Sequence, residues 1–359
     1  MDESQPLYDQ DIHSIVLWMP NWIGDVVLTL PSVQSLRRAY PKARITAVVK
    51  SPSDELLLGH PAITTVLSLP SGSGSGFWKH VKFARRLKKY RYDMGIVLPN
   101  SFRSAFLLSV TKAKYRLGYN TDGRSIFLTH PIVTTAHLKK SQYRVDYYFK
   151  IFSPLRIDIP DAVFSPVIKQ EGDISVRQAL LNMGLEDDEE FITLHPGTSK
   201  VERSWHLERF GILCQKILKI DEKKLVLLGT KSEEYILNRI QGYCPPGKVI
   251  VIPPMNLRVL AGVLKKSRIF IGNDSGMMHL AAMVGTPIVG IFGPGNSKTT
   301  GPYMDAKYYE ILTKNYSCSP CRQHFFKECK PSPHNKPYCL EDITVKNVHD
   351  ALHRLLKRV

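Results

Sequence analysis

The chain has no unbroken apolar run of roughly 18 residues, the length needed for a membrane-crossing helix, so none is expected. The nearest approach, Ile269–Phe292, is interrupted by Asn273, Asp274 and His279. The first eleven residues carry Asp2, Glu3, Asp9 and Asp11 and no apolar stretch, so no export signal is expected. Without export, disulfides are not expected among the six cysteines. Acidic residues are scarce: 32 stand against 49 lysines and arginines, a net charge of +17. That excess suggests an anionic partner, such as an acidic membrane surface or a phosphorylated substrate, with plain solubilising charge as the alternative. Nucleic acid is not expected, because the basic residues are spread along the chain and no nucleic-acid module is present.

What is present is a repeated alternation. At 359 residues the chain is long for one core and suits two domains. In the first half, strands are expected at Ile12–Trp18, Ile45–Val49, Val66–Leu69 and Met94–Leu98. Helical patterns at Ser32–Tyr40, Asp54–Leu58 and Phe77–Tyr90 separate them. The second half repeats this with strands at Phe191–Leu194, Leu225–Leu228, Val249–Ile252, Ile269–Ile271 and Ile288–Ile291. Helices are expected between them at Leu207–Ile220, Glu233–Gln241, Asn256–Lys265 and Met277–Val284. Such alternation predicts an α/β protein with two Rossmann-like domains facing a central cleft. The boundary falls near Pro154–Asp187, giving domains at 1–170 and 171–344 and a C-terminal helix in 345–359. Ser71–Gly76, an alternating Ser-Gly stretch, is expected to be a flexible loop.

Two strand-to-loop junctions in the second half carry ligand-binding character. One is His195-Pro196-Gly197-Thr198-Ser199-Lys200, with Arg203 and Trp205 close behind. The other is Gly272-Asn273-Asp274-Ser275-Gly276-Met277-Met278-His279. Gly276 permits close backbone approach, and the N–H groups of a helix start attract anions. Together the junctions predict a bound pyrophosphate. Either Asp274 or Ser275 could instead simply cap the following helix, and His279 could be a core residue. In the first half, Asp25 follows Asn21-Trp22-Ile23-Gly24 at the end of the first strand, where open α/β folds bind ligands. Spacing alone leaves it open whether Asp25 is a helix cap or a catalytic group. Pro31 either opens a helix near Leu30 or kinks a longer one.

The motifs Asn21–Asp25, Leu98-Pro99-Asn100-Ser101-Phe102-Arg103, His195–Thr198, Arg203–Trp205 and Asn273–His279, in this order, resemble the family 9 glycosyltransferases. Within them the similarity is to the lipopolysaccharide heptosyltransferases of the heptosyltransferase II type, from about residue 12 to the C-terminus. The resemblance implies a GT-B fold, with acceptor bound by the N-terminal domain and nucleotide sugar by the C-terminal one. It implies an inverting transfer with Asp25 as general base and no cofactor required for catalysis. The donor, ADP-heptose, is expected to meet Gly197, Thr198, Ser199, Lys200, Arg203, Glu233, Met255, Asp274, Ser275, Gly276 and His279. Arg203 stands where relatives carry a lysine, so the cation is kept but its shape changes, and Lys200 could share its role. Glu233 matches a ribose-binding carboxylate but is equally readable as a solvated acid at a helix start. Met255, matching a residue of the adenine pocket, would otherwise be read as core.

The acceptor implied by the resemblance is a Kdo-containing lipid A core at an anionic inner-membrane surface, with the protein cytoplasmic and peripheral. Phe77–Arg91 contains seven lysines and arginines and no acid. Such a run is usually a solvated helix face, but its apolar side could also lie against an anionic interface. Arg103 is the chosen acceptor contact; Arg116 and Arg124 are further candidates. Cys318, Cys321, Cys329 and Cys339, with His324 and His334 between them, suggest either a small structural Zn site or free thiols. The expected reaction moves L-glycero-D-manno-heptose from ADP-heptose to the inner core of lipopolysaccharide. The alternatives are a family 9 enzyme with another donor or acceptor, a GT-B-like sugar-nucleotide epimerase, and a non-enzymatic nucleotide-binding module.

Overall fold

In the computed structural model the described residues are 6–72, 76–158, 171–186, 189–220, 223–314, 316–319, 321, 323–327 and 329–359. Asp2 and Glu3, the middle of the Ser-Gly stretch (73–75), and much of the expected domain boundary (159–170 and 187–188) lie outside them. The chain divides into two compact units, Met1–Asp161 and Ala162–Val359.

The first unit holds β1 (Ser14–Trp18), α1 (Ile23–Ala39), β2 (Arg44–Val49), α2 (Asp54–Leu57), β3 (Thr65–Ser68), α3 (Phe77–Leu87), β4 (Met94–Val97), α4 (Phe102–Val110), β5 (Tyr115–Tyr119), β6 (His130–Ile132), α5 (Ala136–Ser141) and α6 (Arg144–Phe149). Its strands run in the order β3-β2-β1-β4-β5-β6, every neighbouring pair parallel. Parallel strands covered by helices on both faces require uninterrupted apolar runs, and Ser14–Trp18 is buried at all five positions. One face packs Val16, Trp18, Val48 and Val97 against Val81, Ala84 and Leu87 of α3 and Leu108 of α4. Pro31 lies inside α1, eight residues after its start, so the helix is longer than its apolar pattern suggested. Most of α1 is buried, and no single polar face marks it in the sequence.

The second unit holds α7 (Glu171–Asn182), β7 (Phe191–His195), α8 (Leu207–Ile220), β8 (Lys224–Leu227), α9 (Glu234–Gln241), β9 (Val249–Val251), α10 (Leu257–Lys266), β10 (Ile269–Asn273), α11 (Gly276–Met283), β11 (Ile288–Ile291), α12 (Ser297–Thr300), β12 (Tyr309–Leu312), α13 (Tyr338–Glu341) and α14 (Val345–Leu356). Its strand order is β12-β11-β10-β7-β8-β9, again all parallel. The C-terminal helix α14 buries Val348, Ala351, Leu352 and Leu355 in the same core as Phe210, Leu213, Val289 and Ile291.

Both sheets have the doubly wound order, in which the winding reverses beside the first strand. The reversal falls between β1 and β4 in one unit and between β7 and β10 in the other. Ligands bind open α/β sheets beyond the carboxyl ends of the strands at that reversal. The polar motifs of the sequence leave the sheets there. Among the described residues, no helix is long and apolar enough to cross a membrane.

Candidate active site

In the first unit, Asp25 stands in the first turn of α1, directly beyond β1. It is not the cap: Trp22 holds that position, and no side chain caps the helix. α6 packs against α1 and brings two further groups to the carboxylate. The Tyr148 hydroxyl donates to Asp25, and Arg144 supplies a nearby positive charge. Burial raises the Asp25 pKa above its ordinary value, while Arg144 and the Tyr148 hydrogen bond pull it back. The Arg144 guanidinium lies 5.2 Å from the centre of the Tyr147 ring, whose hydroxyl accepts from Asn100 Nδ2 at 2.8 Å. Arg144, Tyr147 and Tyr148 did not emerge from the sequence reading. The available signal was spacing, since Arg144 and Tyr148 are four apart and share one helix face.

The three candidate acceptor arginines have separate fates. Arg103 is exposed, over the Phe77 ring at 5.5 Å and bonded to His80 Nδ1. Arg124 is wholly buried and donates to the carbonyls of Tyr119 (2.6 Å) and Pro99, so it braces the loop after β4. Arg116 donates to the carbonyls of Phe127 and Ala113, both at 2.8 Å. Arg116 and Arg124 are therefore structural.

In the second unit, one buried amide stitches the two loops together. Asn273 at the end of β10 accepts from Trp205 N at 3.0 Å and donates to the Pro196 carbonyl at 2.7 Å. Arg203 then reaches Asp274, with Nη2 2.5 Å from Oδ2 and 3.2 Å from the backbone oxygen. Burial raises the Asp274 pKa and Arg203 opposes the shift. Ser275 heads α11 without a side-chain cap, and its hydroxyl lies 3.2 Å from His195 Nδ1. Burial lowers His195 and His279 to about 4, so both imidazoles are neutral near pH 7. Among the described residues, Arg203 Nε and His279 Nδ1 are buried and without a hydrogen-bond partner. Buried polar atoms are seldom left so; His279 lies near the start of α11, and Arg203 reaches Asp274, two residues before that helix.

The remaining expected donor residues divide. Gly197 supports the Glu233 carboxylate so closely that a Cβ there would meet Oε1 at 1.9 Å. Glu233 Oε2 accepts from Thr230 N and Oγ1 at 2.7 and 2.8 Å, closing a capping box ahead of α9. The Thr198 hydroxyl donates to Lys200 O at 2.5 Å and lies 2.8 Å from Ser204 Oγ. Ser199 is exposed and Met255 is half-buried in the loop before α10. Lys200 points to the Phe325 ring, 5.7 Å away, rather than to Asp274. Of the two cations, Arg203 is the one that the fold brings to the loop crossing.

The four clustered cysteines line one cavity of about 300 Å³, together with His324 and Tyr338. Burial and the neighbouring thiols push Cys339 up to about 12. The Zn expectation is corrected: among the described residues, no three His, Cys, Asp or Glu side chains come together to hold a metal. Cys318 is exposed while Cys339 is buried, and His334 is instead paired with Glu341 at 3.1 Å.

The two doubly wound units thus present a carboxylate at one sheet reversal and a cationic crossing of loops at the other, the places where open α/β enzymes bind their ligands. The sequence model of glycosyltransferase family 9 (heptosyltransferase) matches residues 80–330, and the chain belongs to that family. The chain is 25% identical over 305 residues to lipooligosaccharide heptosyltransferase 2 of Haemophilus influenzae, covering 81% of this chain and 86% of that one. Among solved structures, a family 9 glycosyltransferase of Veillonella parvula superposes with a TM-score of 0.84 at 24% identity, covering 98% of this chain and 99% of the other. The ADP-heptose LPS heptosyltransferase II of Escherichia coli gives 0.78 at 19% identity, covering 96% and 99%. The protein is thus a glycosyltransferase of the GT-B fold.

Proposed function

We propose that the protein transfers L-glycero-D-manno-heptose from ADP-heptose to the Kdo/heptose inner core of lipopolysaccharide, with inversion at the anomeric carbon. The observation that carries the reading is the loop crossing of the second unit. There, among the described residues, Arg203 Nε and His279 Nδ1 are buried polar atoms without partners, at the turn through Asp274 where the N–H groups of Ser275 and Gly276 begin α11. Such a site suits a diphosphate, with Gly197 and Thr198 contributing from the facing loop. Glu233 and Met255 serve the ribose and adenine in this reading.

Asp25 takes the proton of the acceptor hydroxyl. The hydroxyl oxygen forms the bond to the anomeric carbon as the bond to the β-phosphate oxygen breaks, and ADP departs with that electron pair. Arg144 and Tyr148 oppose the rise that burial imposes on the Asp25 pKa and so favour the ionised form in which it acts as a base. Arg103 meets anionic groups of a membrane-held, Kdo-containing lipid A core. The protein works on the cytoplasmic side of the inner membrane, as a peripheral enzyme.

The test uses purified protein, ADP-heptose, and Kdo–lipid acceptors with and without a first heptose. ADP release that requires acceptor, with a heptosylated product, is expected. Turnover of ADP-heptose without acceptor, or no transfer to either acceptor, would overturn the proposal.

A further inference from the structure

Between Phe77 and Phe127 the sequence contains twelve lysines and arginines against two acids: Asp122, exposed in the turn before Arg124, and Asp93. The Asp93 carboxylate is spent internally, accepting from His13 N and from the backbone and hydroxyl of Ser14 at 2.8–3.0 Å. Lys79, Lys82, Arg85 and Arg86 are exposed on α3, and Lys88, Lys89 and Arg91 follow. Charge alone would make this a solvated face.

The aromatic side chains argue otherwise. Trp78 is 76% exposed, Phe102 48% and Phe77 38%. They belong to one ring-to-ring ridge: Trp78 meets Phe77, Phe77 stacks on Phe106, Phe106 meets Phe127, and Phe127 meets Phe102. The centroids in these contacts are 5.0–5.6 Å apart. Ile126, beside Phe127, is 76% exposed. A soluble surface scatters such side chains singly, whereas a contiguous patch marks an interaction surface. The ridge joins the starts of α3 and α4 to the turn Arg124–Phe127, and these elements follow β3, β4 and β5. In a parallel sheet all three emerge at the strands' carboxyl edge, as does Asp25.

We propose that this ridge, Trp78–Phe77–Phe102–Ile126 with the α3 cations, docks the first unit on an anionic lipid surface. Aromatic and aliphatic tips enter the headgroup region while lysines and arginines meet lipid phosphates. Charge selects this occupant over a second copy of the chain, because a twofold contact would press the acid-free cationic segment Phe77–Arg91 against itself. The proposal deepens the membrane-held acceptor named above and rests on that reading for its purpose. The docking orients the Asp25 edge of the sheet toward the acceptor's own bilayer.

The test is co-sedimentation of the full-length protein with phosphatidylcholine vesicles, with and without phosphatidylglycerol, in the absence of any sugar substrate. Binding that requires phosphatidylglycerol and is released by salt is expected. The double variant Trp78→Ser/Ile126→Ser should weaken it by about tenfold, and Lys79→Glu/Lys82→Glu by at least as much. Quenching of Trp78 fluorescence by brominated lipid, read as the difference between wild type and Trp78→Phe, reports insertion in a protein of unaltered charge. Equal sedimentation with neutral and anionic vesicles, unchanged binding by the variants, or a dimer that the Trp78→Ser/Ile126→Ser variant abolishes would overturn the proposal. ADP binding, measured on the same preparations, separates failure of docking from failure of the heptosyltransferase reading.

Discussion

Arg203 donates to Asp274 across 71 residues of sequence, and this ion pair holds the loop after β7 to the loop after β10. The side chains are 21% and 11% exposed. The pairing leaves Arg203 Nε without a partner among the described residues, so one guanidinium positions the loops and retains a donor for a ligand. Replacing Arg203 with Ala removes both functions and leaves the Asp274 carboxylate buried and unpaired, a loss on the order of 3–5 kcal/mol for such pairs. ADP affinity, measured by titration calorimetry, is expected to fall by about 100-fold or more. Arg203→Lys should recover part of it, since the charge persists without the planar fork.

In the proposed reaction Asp25 takes the proton and does not bind the donor. Asp25→Asn should lower turnover by about 10²–10⁴-fold while the ADP dissociation constant stays within about twofold. The measurement is initial rate against calorimetric affinity on one preparation. Unchanged turnover would remove Asp25 from the mechanism.

The pH dependence tests its surroundings. Burial raises the Asp25 pKa, and Arg144 and Tyr148 oppose it. A base is active above its pKa, so kcat/KM should fall on the acid side. Arg144→Met removes the strongest opposing influence, and the acid limb should move to higher pH, by about one unit. An acid limb that stays in place would show that Arg144 does not tune this carboxylate.

The parts of this architecture visible in the sequence are those that local chemistry dictates. Ile15–Trp18 and Ile288–Ile291 are continuous apolar runs, as doubly covered parallel strands must be. Tyr115–Tyr119, His130–Ile132 and Tyr309–Leu312 escaped notice. The latter two are short outer strands, one containing Pro131 and the other half-buried throughout, so neither shows a continuous apolar run. Asp274 was legible because it directly follows a strand, and Asp25 because it stands in the first turn of the helix that the first strand leads into. Arg144 and Tyr148 were not, since they reach Asp25 only through the packing of α6 on α1, more than a hundred residues along the chain. Spacing likewise could not separate Lys200 from Arg203, because a residue outside the motif, Phe325, draws Lys200 away.

His60, His195 and His279 are each lowered to about 4 by burial. Unfolded histidines titrate near 6.5, so below that pH the unfolded chain binds more protons than the folded one. These groups contribute full stability above pH 6.5 and lose it as pH falls through 4. Each steepens the loss by up to about 1.4 kcal/mol per pH unit. Urea unfolding between pH 7 and 4.5 should show the slope, and His60→Asn should reduce it by one histidine's share.

Glu341 ends α13 and gathers the segment 332–341 against the loop that follows β7. Its carboxylate, 12% exposed, accepts from Ser332 Oγ at 2.7 Å and Arg209 Nη2 at 2.5 Å, and lies 3.0 Å from His206 Nε2. Burial alone would raise its pKa, but the Ser332 bond and the charges of His206, Arg209 and His334 hold it below the usual value. Lys336 donates to Val201 O at 2.8 Å, and Trp205 Nε1 donates to Ile343 O at 2.7 Å, so the loop carrying Thr198 and Arg203 is tied to this segment. Glu341→Gln keeps the shape and removes the charge that Arg209 answers, costing about 2–3 kcal/mol. Thermal unfolding should begin several degrees lower, and ADP-heptose KM should rise with little change in kcat, since no group touching the reacting atoms is altered. A fall in kcat at unchanged KM would contradict this brace. It would place Glu341 in the chemical step, which the geometry does not support.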